Sequence, residues 1–111
     1  MYTTIVKTIY YDNGNKKYEA NYKDDKLDGL SKIWTENGLL ESQCTYRDGK
    51  LNGPYIEYDH KGELLSKSNY KNNEKHGLCQ TFDSWQALIF NSVYENGELK
   101  KEYKQNQCVI Q

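Results

Sequence analysis

One stretch of eight residues that begins with tyrosine occurs three times in this chain, and each copy starts 24 residues after the last. The copies are YKDDKLDG at 22–29, YRDGKLNG at 46–53 and YKNNEKHG at 70–77, and a degenerate copy, YENGELKK, begins at Tyr94. Two further sets share the interval: glycines at 14, 38 and 62, and aromatic residues at Tyr10, Trp34, Tyr58 and Phe82. Three features locked to one period indicate a repeat protein, because such periods are typical of solenoids, propellers and arrays.

Each unit contains two short segments rich in aromatic and β-branched residues, separated by turns that contain glycine, which is typical of a β-hairpin. A three-residue loop over 36–38 would pair Trp34 with Leu40 and Leu30 with Cys44, and would place these apolar residues on one face. A two-residue loop would split them between the two faces. The apolar pattern therefore favours the three-residue loop, with Gly38 at positive φ.

The same alternation continues along the chain and predicts a sheet with one packed face and one solvated face. The packed face is predicted to carry Tyr10, Tyr18, Tyr22, Trp34, Leu40, Tyr46, Ile56, Tyr58, Leu64, Tyr70, Phe82, Leu88, Phe90 and Tyr94, with a column of small residues at Ala20, Cys44, Ser68 and Ser92. A loop is expected from Asp24 to Gly29. The predicted fold is all-β: a single-layer antiparallel meander of 24-residue β-hairpin repeats, with eight to ten strands.

The order tyrosine, charged residue, Asp-Gly or Asn-Gly, three residues and glycine resembles the core of the MORN repeat. The repeat length, and the Asn-Gly before a leucine-rich second strand, are similar to the variant form found in small bacterial proteins. The resemblance covers about residues 9 to 104, although Gln86 and Lys101 replace glycines in the last unit, which predicts an irregular cap. We expect one domain over 1–111, with units at about 9–32, 33–56, 57–80 and 81–104 plus a C-terminal tail.

Composition narrows the class of partner and the compartment. The net charge is −1, so no overall field favours nucleic acid or an anionic membrane. Three cysteines, Cys44, Cys79 and Cys108, lack a CxxC spacing and are expected to be reduced thiols. No apolar run has the length of a signal peptide or a membrane span. We therefore expect a cytoplasmic protein that neither binds nucleic acid nor inserts into a membrane.

No catalytic or metal-binding constellation stands out in the sequence. His60 and His76 fall at turn positions where other units carry Asp, Glu, Asn or Lys, so both are interpreted as exposed turn residues. The acidic turn residues lack the spacing of a calcium-binding loop, and no phosphate-binding or nucleophile motif occurs. The sequence predicts a protein that is not an enzyme and needs no cofactor and no metal.

The candidate binding residues belong to two groups. The first is an aromatic patch of Trp34, Tyr58 and Phe82 with Ile56 between them, and the alternative interpretation is that these side chains only pack in the core. The second is an acidic set predicted to lie on the opposite face, for which a simple solvated surface is the alternative to docking of a basic partner. Its members are Glu41, Glu57, Asp59 and Glu63.

Two functions follow from the resemblance. Small MORN-variant proteins of bacteria are commonly assigned as antitoxins or immunity proteins, which implies a protein-binding module that forms a heterodimer with its cognate protein toxin and occludes the toxin's active site. Longer MORN arrays are often described as scaffolds or membrane tethers, which is the second expectation. A tether for anionic lipid would need a basic stripe, and we expect none on the predicted packed face.

Overall fold

A computed structural model describes residues 3–83, 85 and 87–104, and the expected C-terminal tail beyond residue 104 lies outside the described residues. The described residues form ten strands and no helix, which confirms the all-β prediction. The strands are β1 Thr4–Tyr10, β2 Lys16–Lys23, β3 Lys26–Trp34, β4 Leu40–Arg47, β5 Lys50–Tyr58, β6 Leu64–Lys71, β7 Glu74–Lys75, β8 Gly77–Phe82, β9 Leu88–Glu95 and β10 Glu98–Lys104.

All ten strands lie in one antiparallel sheet in chain order, and the short β7 and β8 both pair with β6. Extensive strand contacts join neighbours in sequence. The Cα atoms span 58 × 36 × 15 Å, which are the dimensions of a single layer. The predicted single-layer meander is therefore confirmed.

Three-residue loops join the strands at one rim, which we call the three-residue rim. In the loop at 36–38, the amide of Thr35 donates to the carbonyl oxygen of Leu39 at 2.8 Å, and the amide of Gly38 donates to that of Thr35 at 3.0 Å. Gly38 has φ 93° and the equivalent Gly62 has φ 85°, so the predicted loop length and glycine conformation are confirmed. Both angles lie in a region that glycine enters without a steric penalty.

Two-residue turns join the strands at the opposite rim, which we call the two-residue rim. Both central residues of each turn have positive φ, as type I′ turns require. These pairs are Asp24-Asp25, Asp48-Gly49, Asn72-Asn73 and Asn96-Gly97. The expected loop from Asp24 to Gly29 is therefore wrong: Lys23 pairs with Lys26 and the strand resumes at once. Aspartate and asparagine tolerate the left-handed region, so the turn closes without glycine.

Each two-residue turn also binds the unit before it. Backbone bonds of 2.8–2.9 Å join Gly49 N to Leu27 O, Asn73 N to Leu51 O and Gly97 N to Lys75 O. A second, parallel series uses a side-chain acceptor, with Asp48 N bound to Asp28 Oδ2, Asn72 N to Asn52 Oδ1 and Asn96 N to His76 Nδ1. The turns therefore form a ladder along the rim that links each repeat to the next.

The register corrects the predicted faces. Trp34 pairs with Leu40 as predicted, but Leu30 pairs with Thr45 and not with Cys44, because one extra residue, Glu41, interrupts the pairing. The two-residue turns likewise place each repeat tyrosine on the face opposite Trp34, since Tyr22 pairs with Leu27. The predicted packed face is thus divided between two faces. The tyrosine face carries Tyr18, Tyr22, Cys44, Tyr46, Tyr55, Tyr70 and Tyr94; the tryptophan face carries Leu30, Trp34, Ile56, Tyr58, Leu78 and Phe82.

A row of small residues runs across the tyrosine face and is its most buried part. Ala20 pairs with Ser31, and Ser31 pairs with Cys44, so the predicted column of small residues continues from strand to strand. Ala20 is fully buried, and Ser31, Cys79 and Ser92 are nearly so. No large side chain among the described residues is fully buried. Large rings that partly cover a floor of small residues therefore take the place of a conventional core.

Candidate binding surface

On the tyrosine face, the repeat tyrosines lie beside glycines of the neighbouring strand. Gly53 pairs with Tyr70, and the same pairing recurs between Gly29 and Tyr46 and between Gly77 and Tyr94. Tyr70 also packs against Tyr55, with ring centroids 5.9 Å apart. A ring laid over a strand glycine shields backbone that would otherwise be exposed. These tyrosines therefore stabilise the sheet.

Burial changes the acid–base properties of this face. It raises the pKa of Tyr46 to about 12, and it also raises the pKa of Tyr55 and of the Cys44 thiol. A thiol with a raised pKa is a poor nucleophile at neutral pH, because the thiolate is the reactive form. Cys44 is therefore a packing residue.

Raising the pH should destabilise the protein in part through Tyr46. Its pKa of about 12 in the folded state exceeds the ordinary value of 10, so ionisation is easier in the unfolded chain. The stability that the neutral phenol contributes is complete below pH 10 and is lost as the pH rises toward 12. We expect the Tm to fall over this window, and Tyr46→Phe to reduce the fall. An identical decline in both proteins, measured by thermal melts at matched ionic strength, would exclude Tyr46 as a cause.

The tryptophan face carries an aromatic row along the three-residue rim. Trp34, Tyr58 and Phe82 occupy equivalent positions and pair with Leu40, Leu64 and Leu88 of the following strands. The Nζ of Lys16 lies 5.6 Å from the centre of the Trp34 ring and 3.0 Å from Glu19 Oε2. Each of the three rings is partly buried. They therefore contribute to the sheet as well as to its surface.

A groove on the tryptophan face is lined by side chains of three strands, and its apolar residues come from β5 and β8. Pro54, Ile56, Lys67, Asn69, Leu78 and Gln80 line it, and its volume is about 330 Å³. Pro54 and Leu78 are exposed, and Leu78 keeps 44% of its accessible surface. Of the predicted patch, only Ile56 lines this groove; the three aromatic rings lie along the rim. The groove therefore combines exposed apolar side chains with a concave shape.

The acidic candidates do not form one cluster. Asp59 Oδ1 accepts hydrogen bonds from the amides of Lys61 at 2.9 Å and Glu63 at 3.0 Å, and these bonds lower its pKa. Glu57 lies on the tyrosine face and accepts a bond of 3.0 Å from Ser66 Oγ. Glu41 is the extra residue of β4, and Glu63 follows a three-residue loop. Glu57 therefore lies on the face opposite Ile56 and Tyr58, and it shares that face with Tyr55.

Sequence reasoning missed a set of basic residues beside the two-residue rim. Arg47, Lys50 and Lys71 line a cleft of about 670 Å³ between neighbouring turns. The signal was present, since a basic residue precedes three of the four turns, at 23, 47 and 71. It was overlooked because the net charge of the whole chain is close to zero.

No group of three or more His, Cys, Asp or Glu side chains is arranged to hold a metal ion in residues 3–83, 85 and 87–104. Over the same ranges, no helix has the length and apolar character needed to span a bilayer. His60 is exposed in its turn, whereas His76 is partly buried and accepts the amide of Asn96 at Nδ1.

Comparison with known families gives one match. The family described as MORN repeat variant matches residues 5–24, 27–48 and 51–72, which is more than half of the chain. The matched segments are three consecutive copies of the repeat. No curated protein matches the chain.

Proposed function

This chain belongs to the MORN repeat variant family, and from that premise we propose that it binds a protein partner through the tryptophan face. MORN repeats form modules that bind proteins or associate with membranes. The finer proposal is that the partner is a cognate bacterial toxin and that the chain is its immunity protein. It would act in the cytoplasm as one half of a heterodimer, covering the toxin's active site and catalysing no reaction itself.

The groove around Ile56 carries this proposal. Nothing in the described chain lies over the tryptophan face, because the sheet is one layer thick. Leu30 and Leu78 remain 43% and 44% exposed on that face. A specific interface buries about 800 Å² on each partner, and a sheet of 58 by 36 Å has room for it. Apolar side chains at the centre of such an interface usually dominate the binding energy.

Occlusion of an active site suits a rigid, open sheet. Such a surface needs little rearrangement on binding, so less of the interaction energy is lost in ordering the binder. The aromatic row at the three-residue rim adds rings with few rotatable bonds, which contact a partner at low entropic cost. Trp34 and Tyr58 are therefore expected to border the interface around Ile56.

We expect Ile56→Ala to weaken binding of the toxin about tenfold, or about 1.4 kcal/mol, by removing the apolar centre of the interface. Ile33→Ala is the matched control, because Ile33 is an exposed aliphatic residue on the tyrosine face with 39% of its surface accessible. The experiment is a pull-down with the product of the neighbouring gene, followed by calorimetric titration of each variant. Thermal melts should accompany it.

Three results would count against the proposal. The first is that the neighbouring gene product does not bind. The second is that Ile56→Ala binds as well as the unmodified protein, and the third is that Ile33→Ala weakens binding as much as Ile56→Ala. Binding to vesicles that contain phosphatidylserine, without binding to any toxin, would instead support the scaffold or membrane-tethering role. The basic cleft at the two-residue rim is the feature that would favour that role.

A further inference from the structure

Two clefts at the two-residue rim have the same construction, 24 residues apart. The first lies between the turns at 24–25 and 48–49 and has a volume of about 380 Å³; its lining includes Lys23, Asp28, Tyr46, Arg47 and Asn52. The second lies between the turns at 48–49 and 72–73, and its lining includes the equivalent Arg47, Asn52, Tyr70, Lys71 and His76. Arg47 lines both clefts. A feature that recurs in register with the repeat is a property of the repeat itself.

The second cleft holds more positive than negative charge, whereas in the lining of the first Lys23 and Arg47 are balanced by Asp28 and Asp48. Arg47, Lys50 and Lys71 line the second cleft, and Asp48 is the one carboxylate residue in its lining. Arg47 pairs directly with Lys50 across the turn. Like charges directly opposite in a sheet are destabilising. Within the described residues, the two salt bridges are Lys16 with Glu19 and Lys100 with Glu98, so these three cations are not neutralised by ion pairing.

The polar groups on the floor of the clefts are already occupied. Asp28 Oδ2 accepts the amide of Asp48, and Asn52 Oδ1 accepts the amide of Asn72. His76 Nδ1 accepts the amide of Asn96 in the same way. These acceptors hold the turns in the ladder. An anionic ligand would therefore meet the cationic side chains without displacing the bonds that shape the cleft.

We propose that the second cleft binds the carboxylates of an acidic segment of the protein partner through Arg47, Lys50 and Lys71. This inference rests on the proposed function and names the chemistry of the partner. The cleft adjoins the apolar groove, since Asn69 lines both. One segment can therefore place an apolar residue beside Ile56 and its acidic residues at the rim.

The turns favour a protein segment over an anionic bilayer. Asp24, Asp25 and Asp48 lie at the ends of the hairpins. A flat anionic membrane that approached the rim would meet these carboxylates before it met the cations behind them. A narrow segment that follows the tryptophan face avoids Asp24 and Asp25, which line neither cleft, and meets only Asp48. The charge of the cleft and its accessibility therefore both favour an acidic protein segment over an anionic bilayer.

The test uses a fluorescent peptide of sequence EPPEPPE and its neutral counterpart QPPQPPQ. At an ionic strength of about 20 mM, the glutamate peptide should bind at least about tenfold more tightly than the glutamine peptide, and salt should weaken it. Arg47→Gln should remove about tenfold of that affinity because it removes one of the three cations of the second cleft. Lys61→Gln is the matched control: it removes the same charge from an exposed residue at the three-residue rim.

Each outcome decides the matter. Equal binding of the two peptides, or an equal loss in the Arg47→Gln and Lys61→Gln variants, overturns the inference. So does Arg47-dependent binding to phosphatidylserine vesicles without binding to the glutamate peptide, because the ligand is then a lipid surface. If the toxin binds normally to Arg47→Gln, this inference is wrong and the proposed function still stands. If the glutamate peptide binds but no toxin does, the proposed function is wrong and the second cleft remains a site for acidic segments.

Discussion

Gly53→Val is expected to lower the free energy of unfolding by about 3 kcal/mol or more. Gly53 has φ 122°, which a β-branched residue adopts only with strain. A Cβ atom there would lie 3.3 Å from the Cβ atom of Thr45, which belongs to the adjacent strand β4. Strain and overpacking each cost about 1–3 kcal/mol, and here they act together.

Gly49→Asn is the matched control for this substitution. Gly49 also has positive φ, at 82°, but no atom lies within 4 Å of an added Cβ. Asn73 occupies the equivalent turn position with φ 72°. We therefore expect a change below about 0.5 kcal/mol in urea unfolding. Similar losses in both variants would show that positive φ alone, and not contact with Thr45, sets the cost.

Tyr70→Ala should cost about 2.5 kcal/mol, somewhat less than the loss of a fully buried ring. The substitution removes the contact with Tyr55 and uncovers the backbone at Gly53. Tyr70→Phe should stay within about 0.5 kcal/mol because it keeps the ring. Tyr103→Ala should also be nearly neutral, since Tyr103 is 52% exposed on β10. If Tyr103→Ala proved as costly as Tyr70→Ala, the pairing of rings with glycines would not explain the stability of this sheet.

The period and the turn glycines were sufficient to predict the architecture. Gly38 could be assigned to a three-residue loop because only that loop aligned Trp34 with Leu40, and the structure has this pair. The turns at the other rim were harder to predict. Asp24-Asp25 and Asn72-Asn73 adopt positive φ at both positions without glycine. Their side chains permit that conformation but do not require it, so the sequence left the loop length undetermined.

The division of residues between the faces could not be obtained from alternation alone. One extra residue, Glu41, places Cys44 and Tyr46 on the face opposite Leu40, and nothing in its chemistry marks it as unpaired. The predicted packed face therefore combined residues correctly along one strand, as with Ile56 and Tyr58, and incorrectly with repeat tyrosines such as Tyr46. The basic clefts depend on residues from adjacent hairpins, such as Arg47 and Lys71. Their proximity follows from the register, which composition does not encode.

The ladder of turns at the two-residue rim has a consequence for how such a protein can change over evolutionary time. Because Gly49 bonds to Leu27 and Asn73 bonds to Leu51, each unit needs only the unit before it as a template. Duplication of one 24-residue segment would insert two strands, and the copy would form the same bonds with the units on either side of it. The sheet would lengthen by about 9.5 Å for each copy. Recognition surfaces of graded length are thus accessible in single genetic steps, without redesign of a closed core.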